Sequence, residues 1–173
     1  LVSLMGPIEN VSGSANITFP ERTITSQPKY GKKIEVEVPT HVAGIINFKN
    51  NAIGTIITSF DVWGSKLPRI EIYGSKGSLL VPDPNTFGGP VYLKKHNYEE
   101  WKEIPLSHGY SENSRGLGLS DMARAIDNGQ SHRASGELAY HVLETMHGFH
   151  IAAEEKSNYE LKSDCKQPEP LEE

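Results

Sequence analysis

Residues 40–81 are THVAGIINFKNNAIGTIITSFDVWGSKLPRIEIYGSKGSLLV, and they carry most of the information on the fold of this chain. Residues 41–48 alternate in the manner of a strand, and Asn50-Asn51 tolerates positive φ at the point where a hairpin reverses. Residues 52–60 are rich in β-branched side chains, which favour strands. This half of the stretch therefore predicts a pair of antiparallel strands.

The second half contains another pair of strands. Residues 69–73 alternate polar and apolar side chains after a loop that contains Trp63, Gly64 and Pro68. A turn at residues 74–77 then leads into the apolar residues 78–81. We therefore predict four consecutive strands in one antiparallel meander.

Both faces of the first two strands are apolar. A sheet with one face in water should alternate cleanly between apolar and polar residues. Here one face would hold Ile45, Ile53 and Ile57, and the other would hold Ile46, Ile56 and Phe60. We expect the helices of this chain to cover one face, and a further domain or a second copy to cover the other.

The periodicity becomes helical after residue 114. The first predicted helix ends at Asn128-Gly129, and Ser135 is placed to cap the second, which should end at Asn158. Their apolar faces would be Leu117, Met122, Ala123 and Ile126, then Leu138, Val142, Met146, Phe149 and Ala153. The fold class is therefore α+β: an open-faced, mostly antiparallel mixed β-sheet with helices packed on one face.

Shorter elements flank these. We expect the end of a helix at residues 1–5, strands at residues 8–17 and 32–38, a peripheral hairpin at residues 91–95 and 101–104, and a last strand at residues 159–161. Residues 82–90 form a turn-rich loop. The chain starts with Leu1 rather than Met, which suggests a piece of something longer.

Composition narrows the possible partners. The 173 residues are 36% hydrophobic and 23% charged, which is ordinary for one globular domain. A net charge of -5 argues against nucleic acid or an anionic membrane as partner. No apolar run approaches the roughly 20 residues of a membrane span. The single cysteine, Cys165, cannot form an internal disulfide, so we expect a cytoplasmic protein.

Motifs of known chemistry are sparse. The nearest match to a dinucleotide-binding glycine loop is Gly116-Leu-Gly118, which has Asp121 in place of the third glycine. His147 and His150, with Glu144 one turn earlier, could form half of a metal site, but the sequence places nothing to complete it. We assign no catalytic, cofactor-binding or metal-binding residue.

One polar segment, residues 107–116, shows neither the helix nor the strand periodicity that would explain its composition. It brings a phenol, an amide and a guanidinium to the start of a helix, where anions bind well. We predict that Tyr110, Asn113 and Arg115 contact a substrate. The alternative is an ordinary loop, in which Asn113 or Ser114 caps the helix and Arg115 pairs with an acid such as Glu112.

Several segments resemble one family in the same order. They are GPI at residues 6–8, VSGS at 11–14, NAIGTI at 51–56 and IEIYGSKGSLL at 70–80, followed by the two helices. Together these resemble the C-terminal domain of the glucose-fructose oxidoreductase family, the Gfo/Idh/MocA dehydrogenases. The hairpin at residues 72–79 is the most specific segment.

The resemblance implies an NAD(P)-dependent oxidoreductase acting on a sugar, polyol or related hydroxylated substrate. Residues 1–163 would be its substrate-binding and dimerisation domain, and residues 164–173 a polar tail. The Rossmann domain that holds NAD or NADP would precede residue 1, as would an active-site His on the helix that ends at residues 1–5. The isolated chain should bind no cofactor and be inactive, and the bare sheet face should form a homo-oligomer.

A second hypothesis remains open. The chain could be a non-catalytic binding or interaction module that uses the same open sheet. A strand and glycine-rich loop encoded about 100 to 150 residues before Leu1 would favour the dehydrogenase.

Overall fold

The computed structural model describes residues 1–112 and 114–171 and shows an α+β fold, as predicted. In chain order the elements are α1 (Val2–Met5), β1 (Ile8–Asn16), β2 (Glu21–Thr23), β3 (Lys33–Glu35), β4 (His41–Phe48), β5 (Ile53–Ser59), β6 (Ile70–Gly74), β7 (Gly77–Val81), β8 (Val91–Lys94), β9 (Lys102–Ile104), α2 (Leu117–Asp127), α3 (Gly136–Glu155) and β10 (Tyr159–Glu160). Two compact units contain Leu1–Trp63 with Ser131–Glu169, and Gly64–Gln130.

The first unit is built on a four-stranded antiparallel sheet. Its strand order is β10-β1-β4-β5, and β2 and β3 form a separate hairpin. Helix α3 packs on one face of this sheet. The buried cluster beneath it consists of Val2, Ile8, Val11, Ile46, Phe48 and Phe149.

Glycines allow α3 to approach the sheet closely. Gly13 of β1 pairs with Gly44 of β4, and the ring of Phe149 lies over both. A Cβ atom on Gly44 would stand 2.4 Å from Cε1 of Phe149. Gly148 likewise leaves no room for a Cβ beside Tyr159, where the separation would be 2.7 Å. The aromatic side chain therefore fills the space that the missing side chains leave.

The opposite face of this sheet is uncovered and carries isoleucines. Ile45, Ile53 and Ile57 are 45%, 73% and 59% exposed, whereas Ile46, which points toward α3, is 1% exposed. The expectation of two apolar faces is confirmed for the isoleucines, whereas Phe60, predicted on the face of Ile46, lies after the end of β5 and is 82% exposed. We call Ile45, Ile53 and Ile57 the open face.

The second unit contains the sheet β6-β7-β8-β9 and helix α2. The predicted pairs β4–β5 and β6–β7 are both present and antiparallel. The prediction of one continuous meander was wrong, because β5 and β6 belong to different sheets. Hairpin connections are usually two to five residues long, and residues 60–69, with Gly64 and Pro68, are too long a connection to force β5 and β6 together.

The apolar face of α3 was predicted only in part: Phe149 is buried and Leu138 packs against the core as predicted, but Val142 and Met146 are exposed. Its buried residues are His141, Thr145, Gly148, Phe149 and Ala152, whereas Met146 is 60% exposed and Val142 40% exposed. Close packing on the sheet requires small residues at the contact, and the two buried polar residues have internal hydrogen-bond partners. A pattern of large apolar residues cannot detect either feature.

Some of the helix ends differ from the predicted ones. Ser135 caps α3 as expected, since its Oγ accepts a hydrogen bond from the amide of Leu138 at 3.2 Å. The helix ends at Glu155 rather than Asn158, because Lys156 adopts a left-handed conformation at φ 54°. Gly116 is the N-cap of α2, in place of Ser114, and the alternative cap Asn113 lies outside the described residues.

Helix α2 buries less than its pattern predicts. Ala125 is its buried residue, whereas Ile126 is 66% exposed. Gly129, with φ 63°, ends the helix region as predicted. None of the helices in the described part of the chain has the length and apolar character that crossing a bilayer requires.

Candidate functional site

A cleft of about 510 Å³ lies in the second unit, at the start of α2. It is an open depression in the surface rather than an enclosed cavity. One wall comes from the loop after β7, and the other comes from the segment just before α2. The lining residues are Asn85, Thr86, Phe87, Gly88, Gly89, Ser111, Glu112 and Arg115.

Asp83 fixes the first wall. Its Oδ1 accepts a hydrogen bond from the amide of Asn85 at 2.9 Å, and its carbonyl accepts from the amide and hydroxyl of Thr86 at 3.0 and 2.7 Å. Arg69 Nε lies 3.6 Å from the other carboxylate oxygen. Both the carboxylate and the backbone carbonyl of Asp83 therefore stabilise the turn that carries Asn85 and Phe87.

Two glycines let the walls meet. A Cβ atom on Gly88 would stand 2.5 Å from the carbonyl oxygen of Ser111, and Gly89 has φ 112°, which few other residues adopt. The contact brings residues 111–115 against the first wall. Sequence analysis assigned no function to this wall, although the Gly88-Gly89 pair was a signal of close backbone approach.

Arg115 is the predicted substrate residue that lines the cleft. Its guanidinium lies 6.0 Å from the ring centroid of Phe87, and Nη2 is 3.5 Å from Oδ1 of Asn85, at the outer limit of a hydrogen bond. Within the described residues no carboxylate lies in ion-pair distance of Arg115. The predicted alternative, a pair with Glu112, is therefore absent, and the guanidinium keeps donors for a ligand.

The other two predicted substrate residues are placed differently. Tyr110 is partly buried and is not among the residues that line the cleft. Asn113 lies outside the described residues. The structure brings Glu112 and Ser111 into the cleft beside Arg115, so the cleft combines a cation, an anion, an amide, hydroxyls and an aromatic face.

The histidine pair on α3 has no carboxylate to complete it. The rings of His147 and His150 are 6.1 Å apart, but Glu144 is engaged elsewhere. Its carboxylate accepts hydrogen bonds from the Tyr159 hydroxyl and from the amides of Lys162 and Ser163 at 3.1, 2.9 and 2.8 Å. Over residues 1–112 and 114–171, no group of three His, Cys, Asp or Glu side chains could hold a metal ion.

The described residues do not form a dinucleotide-binding turn of the Rossmann type. That motif holds the pyrophosphate at a glycine-rich turn between a strand and a helix N-terminus in a parallel βαβ unit. In the described part of the chain every paired strand is antiparallel, and Gly116-Leu-Gly118 follows a loop rather than a strand.

Comparison with known proteins identifies a relationship in sequence and in fold. Residues 1–80 match the family model of the GFO/IDH/MocA C-terminal domain. Among curated proteins, no sequence matches.

Several solved structures with a similar fold are oxidoreductases. Levoglucosan dehydrogenase in complex with NADH and levoglucosan has a TM-score of 0.72 at 18% identity, over 92% of this chain and 46% of that one. An NAD binding oxidoreductase from Klebsiella pneumoniae has a TM-score of 0.68 and 19% sequence identity, and the match covers 93% of this chain and 47% of that one. An oxidoreductase domain protein from Kribbella flavida has a TM-score of 0.65 and 20% sequence identity, and the match covers 90% of this chain and 46% of that one.

The two comparisons agree with the resemblance seen in the sequence. The chain spans less than half the length of these structures, 46% to 47%. The chain is similar to these structures in fold alone, whereas the match to the family model is a similarity in sequence. Residues 1–80 are therefore similar in sequence to the GFO/IDH/MocA C-terminal domain, and 92% of the chain is similar in fold to part of levoglucosan dehydrogenase.

Proposed function

We propose that this chain is the substrate-binding and self-association domain of an NAD(P)-dependent oxidoreductase that acts on a sugar, polyol or related hydroxylated compound. The observation that carries the proposal is the fold shared with levoglucosan dehydrogenase, which was solved with NADH and levoglucosan. A second complex of that enzyme contains NADH and L-sorbose. Hydroxylated carbon chains are therefore the substrate class to test first.

The cleft has the groups that such a substrate needs. The guanidinium of Arg115 and the amide of Asn85 can donate hydrogen bonds to hydroxyl oxygens, and the carboxylate of Glu112 can accept from hydroxyl groups. The ring of Phe87 offers an apolar surface for the carbon skeleton. Tyr110 and Asn113 remain proposed contacts of the substrate in the complete enzyme.

The nicotinamide cofactor, NAD or NADP, would be held by a separate nucleotide-binding domain. This assignment follows from the lack of a βαβ glycine turn in the described residues. The role of this chain would be to hold and orient the substrate. Hydride transfer itself would require residues of the other domain.

Self-association would use the open face. Three partly or largely exposed isoleucines on adjacent strands form an apolar surface that α3 does not cover. Beyond them Phe60 and Trp63 are 82% and 102% exposed, and both lie on the connection after β5. Aromatic residues of this kind are enriched where proteins associate.

Turnover by the complete protein tests the proposal. The protein would be incubated with NAD⁺ or NADP⁺ and a panel of sugars and polyols, and the absorbance of reduced nicotinamide would be followed. Reduction that depends on one member of the panel is the expected result. Saturable sugar binding without any reduction would instead favour a non-catalytic binding module.

A further inference from the structure

A groove of about 520 Å³ lies between the edge of β1 and the end of α3, and the proposed function does not use it. Strand β1 contributes residues 12–15, α3 contributes Ala152 and Ala153, and the turn after α3 contributes residues 156–158. All of them belong to the first unit. The groove therefore has the edge of a strand along one side and a helix along the other.

The edge of β1 beside this groove is unpaired. Strand β10 pairs with β1 at Asn10 and Val11, and no other strand in the described part of the chain lies on this side of β1. Lys156 adopts a left-handed conformation after α3, and the chain joins the sheet only at Tyr159. Residues 12–16 are therefore an open edge that continues the line of β10.

The direction of the backbone groups on this edge follows from the pairing of β1 with β4. The carbonyl of Asn16 accepts a hydrogen bond from the amide of Thr40 at 2.9 Å, so Asn16 directs its backbone groups toward the β4 side. This direction alternates from one residue to the next along an antiparallel strand. Gly13 and Ala15 therefore direct their N–H and C=O groups away from β4 and into the groove. These four groups can pair with the backbone of one more strand.

The two faces of this edge differ in polarity. Gly13 lies on the α3 side, because a Cβ atom built on it would stand 3.2 Å from Cδ1 of Phe149. Ala15 shares that side, since side chains two residues apart point to the same face. Ala153 on α3 is also small, so the groove keeps space for apolar side chains there. Ser14 offers a hydroxyl on the opposite face.

We propose that this groove binds an extended segment of another polypeptide, which adds to the sheet as a strand antiparallel to β1. In this mode of recognition, main-chain hydrogen bonds give affinity and the spaces for alternate side chains give specificity. The antiparallel direction matches every strand pair of this sheet. The ligand residues opposite Gly13 and Ala15 are apolar, and the residue between them is polar.

Lys156 adds a charge preference at one end of the groove. An antiparallel ligand runs in the direction of β10, so its C-terminal end points toward Asn158 and Lys156. The ammonium group of Lys156 is exposed and has no ion pair in the described part of the chain. It therefore favours an acidic residue at the C-terminal end of the ligand. Glu155 and the carbonyl end of α3 offset part of this attraction.

Titration of a designed peptide into the ¹⁵N-labelled chain, followed by NMR, tests the groove. The probe is an end-blocked pentapeptide in which threonine and valine alternate and glutamate is the last residue. We expect the amide signals of Gly13 and Ala15 to shift saturably. The same peptide with both valines N-methylated lacks the two donors that reach the carbonyls of Gly13 and Ala15. It should bind at least about tenfold more weakly.

Two substitutions close the groove in different ways. Ala15→Pro removes an outward N–H, and an edge strand tolerates proline where no ladder hydrogen bond is lost. Ala153→Leu fills the space beside α3. Each should weaken binding of the unmethylated peptide by about tenfold or more. Ala139→Leu is the matched control, because Ala139 is exposed on the same helix outside the groove, and its affinity should stay within about twofold.

Several results would overturn the proposal. Absence of a saturable shift, or equal affinity for the N-methylated peptide, would exclude pairing through the main chain. Shifts confined to residues 53–59 would place the peptide on the other edge of the sheet. Protection of the Gly13 and Ala15 amides that rises with protein concentration in the absence of peptide would assign the groove to a second copy. If Ala15→Pro does not fold, equal affinity of Ala153→Leu and Ala139→Leu still rejects the groove.

Discussion

At the scale of single residues, Arg115 is the side chain on which the substrate proposal depends. A hydrogen bond to a charged group contributes about 1.5 to 3 kcal/mol. We therefore expect Arg115→Ala in the complete enzyme to lower kcat/KM by roughly 10 to 100-fold, measured in steady-state kinetics with a substrate found in the panel. Arg115→Lys should recover part of the loss, since it restores the charge but not the planar donors.

Arg124→Ala provides the control for Arg115. Arg124 lies on α2 and is exposed, but it does not line the cleft. Its removal should leave kcat/KM within about twofold of the unmodified enzyme, as expected for a surface change. Normal kinetics of Arg115→Ala combined with a lower melting temperature would remove Arg115 from the site.

Glu144 predicts a pH dependence of stability. Burial of its carboxylate opposes ionisation, but the Ser163 hydroxyl, the amides of Lys162 and Ser163 and the Tyr159 hydroxyl outweigh burial and lower its pKa from 4.5 to about 2. The unfolded chain binds this proton more tightly, so the stabilisation is present above pH 4.5 and is lost as the pH falls from 4.5 to about 2.

Thermal unfolding across that pH range checks the prediction for Glu144. The melting temperature of the unmodified chain should fall more steeply than that of Glu144→Gln, which has no proton to gain. Glu154→Gln is the control, because Glu154 is an exposed acid on the same helix, and its profile should follow the unmodified chain. Parallel profiles for all three proteins would contradict the assigned role of Glu144.

At the scale of elements, the contact between α3 and the sheet depends on Gly44. A Cβ atom there would lie 2.4 Å from Phe149 and 2.5 Å from the Ser12 carbonyl oxygen, and the second of these is backbone. Overpacking costs about 1 to 3 kcal/mol. We expect Gly44→Ala to lower Tm by about 2 to 4 °C for each kcal/mol lost, measured by calorimetry.

Gly64→Ala tests whether the effect at Gly44 is steric. No atom lies within 4 Å of a Cβ built on Gly64, so this substitution should leave Tm nearly unchanged. A similar loss in both variants would point to the general cost of replacing glycine rather than to the packing of Phe149.

Sequence reasoning located the elements better than it located their contacts. Most strands, the Ser135 cap and the two apolar faces of β4 and β5 follow from local patterns, and the structure confirms them. Strand β2 was not predicted, and β3 is shorter than the predicted strand at residues 32–38. The buried face of α3 does not, because His141 is buried through partners that lie 133 and 22 residues away in the chain. Arg115 was predicted from the polar composition of residues 107–116. The wall that contains Phe87 was not predicted, because it depends on the packing of two loops that are distant in the sequence, and no local pattern encodes that packing.

At the scale of the whole molecule, the lack of a βαβ unit predicts a negative result with the cofactor. Calorimetric titration of this chain with NADH and with NADPH should give no binding at submicromolar concentration, because no described segment can hold the pyrophosphate. The complete protein should bind one of the two. Submicromolar binding by this chain alone would contradict the assignment of the cofactor to a separate domain.

The open face predicts self-association. Monomers rarely expose apolar patches beyond a few hundred Å², and Ile57 belongs to this one, on the edge strand β5, where it pairs across to Ala43 of β4. We expect light scattering at micromolar concentration to show a dimer or larger species. Ile57→Lys should raise the dissociation constant by on the order of 10 to 100-fold, because it places a charge on the face that forms the contact.

Met146→Lys separates the open face from exposed apolar surface in general. Met146 is 60% exposed and Ile57 is 59% exposed, but Met146 lies on α3, on the other side of the sheet. The two substitutions add the same charge at similarly exposed positions, so a difference in assembly must come from the face that each residue occupies. If Met146→Lys dissociates the assembly as strongly as Ile57→Lys, or if the unmodified chain is a monomer, the open face is not the contact between copies.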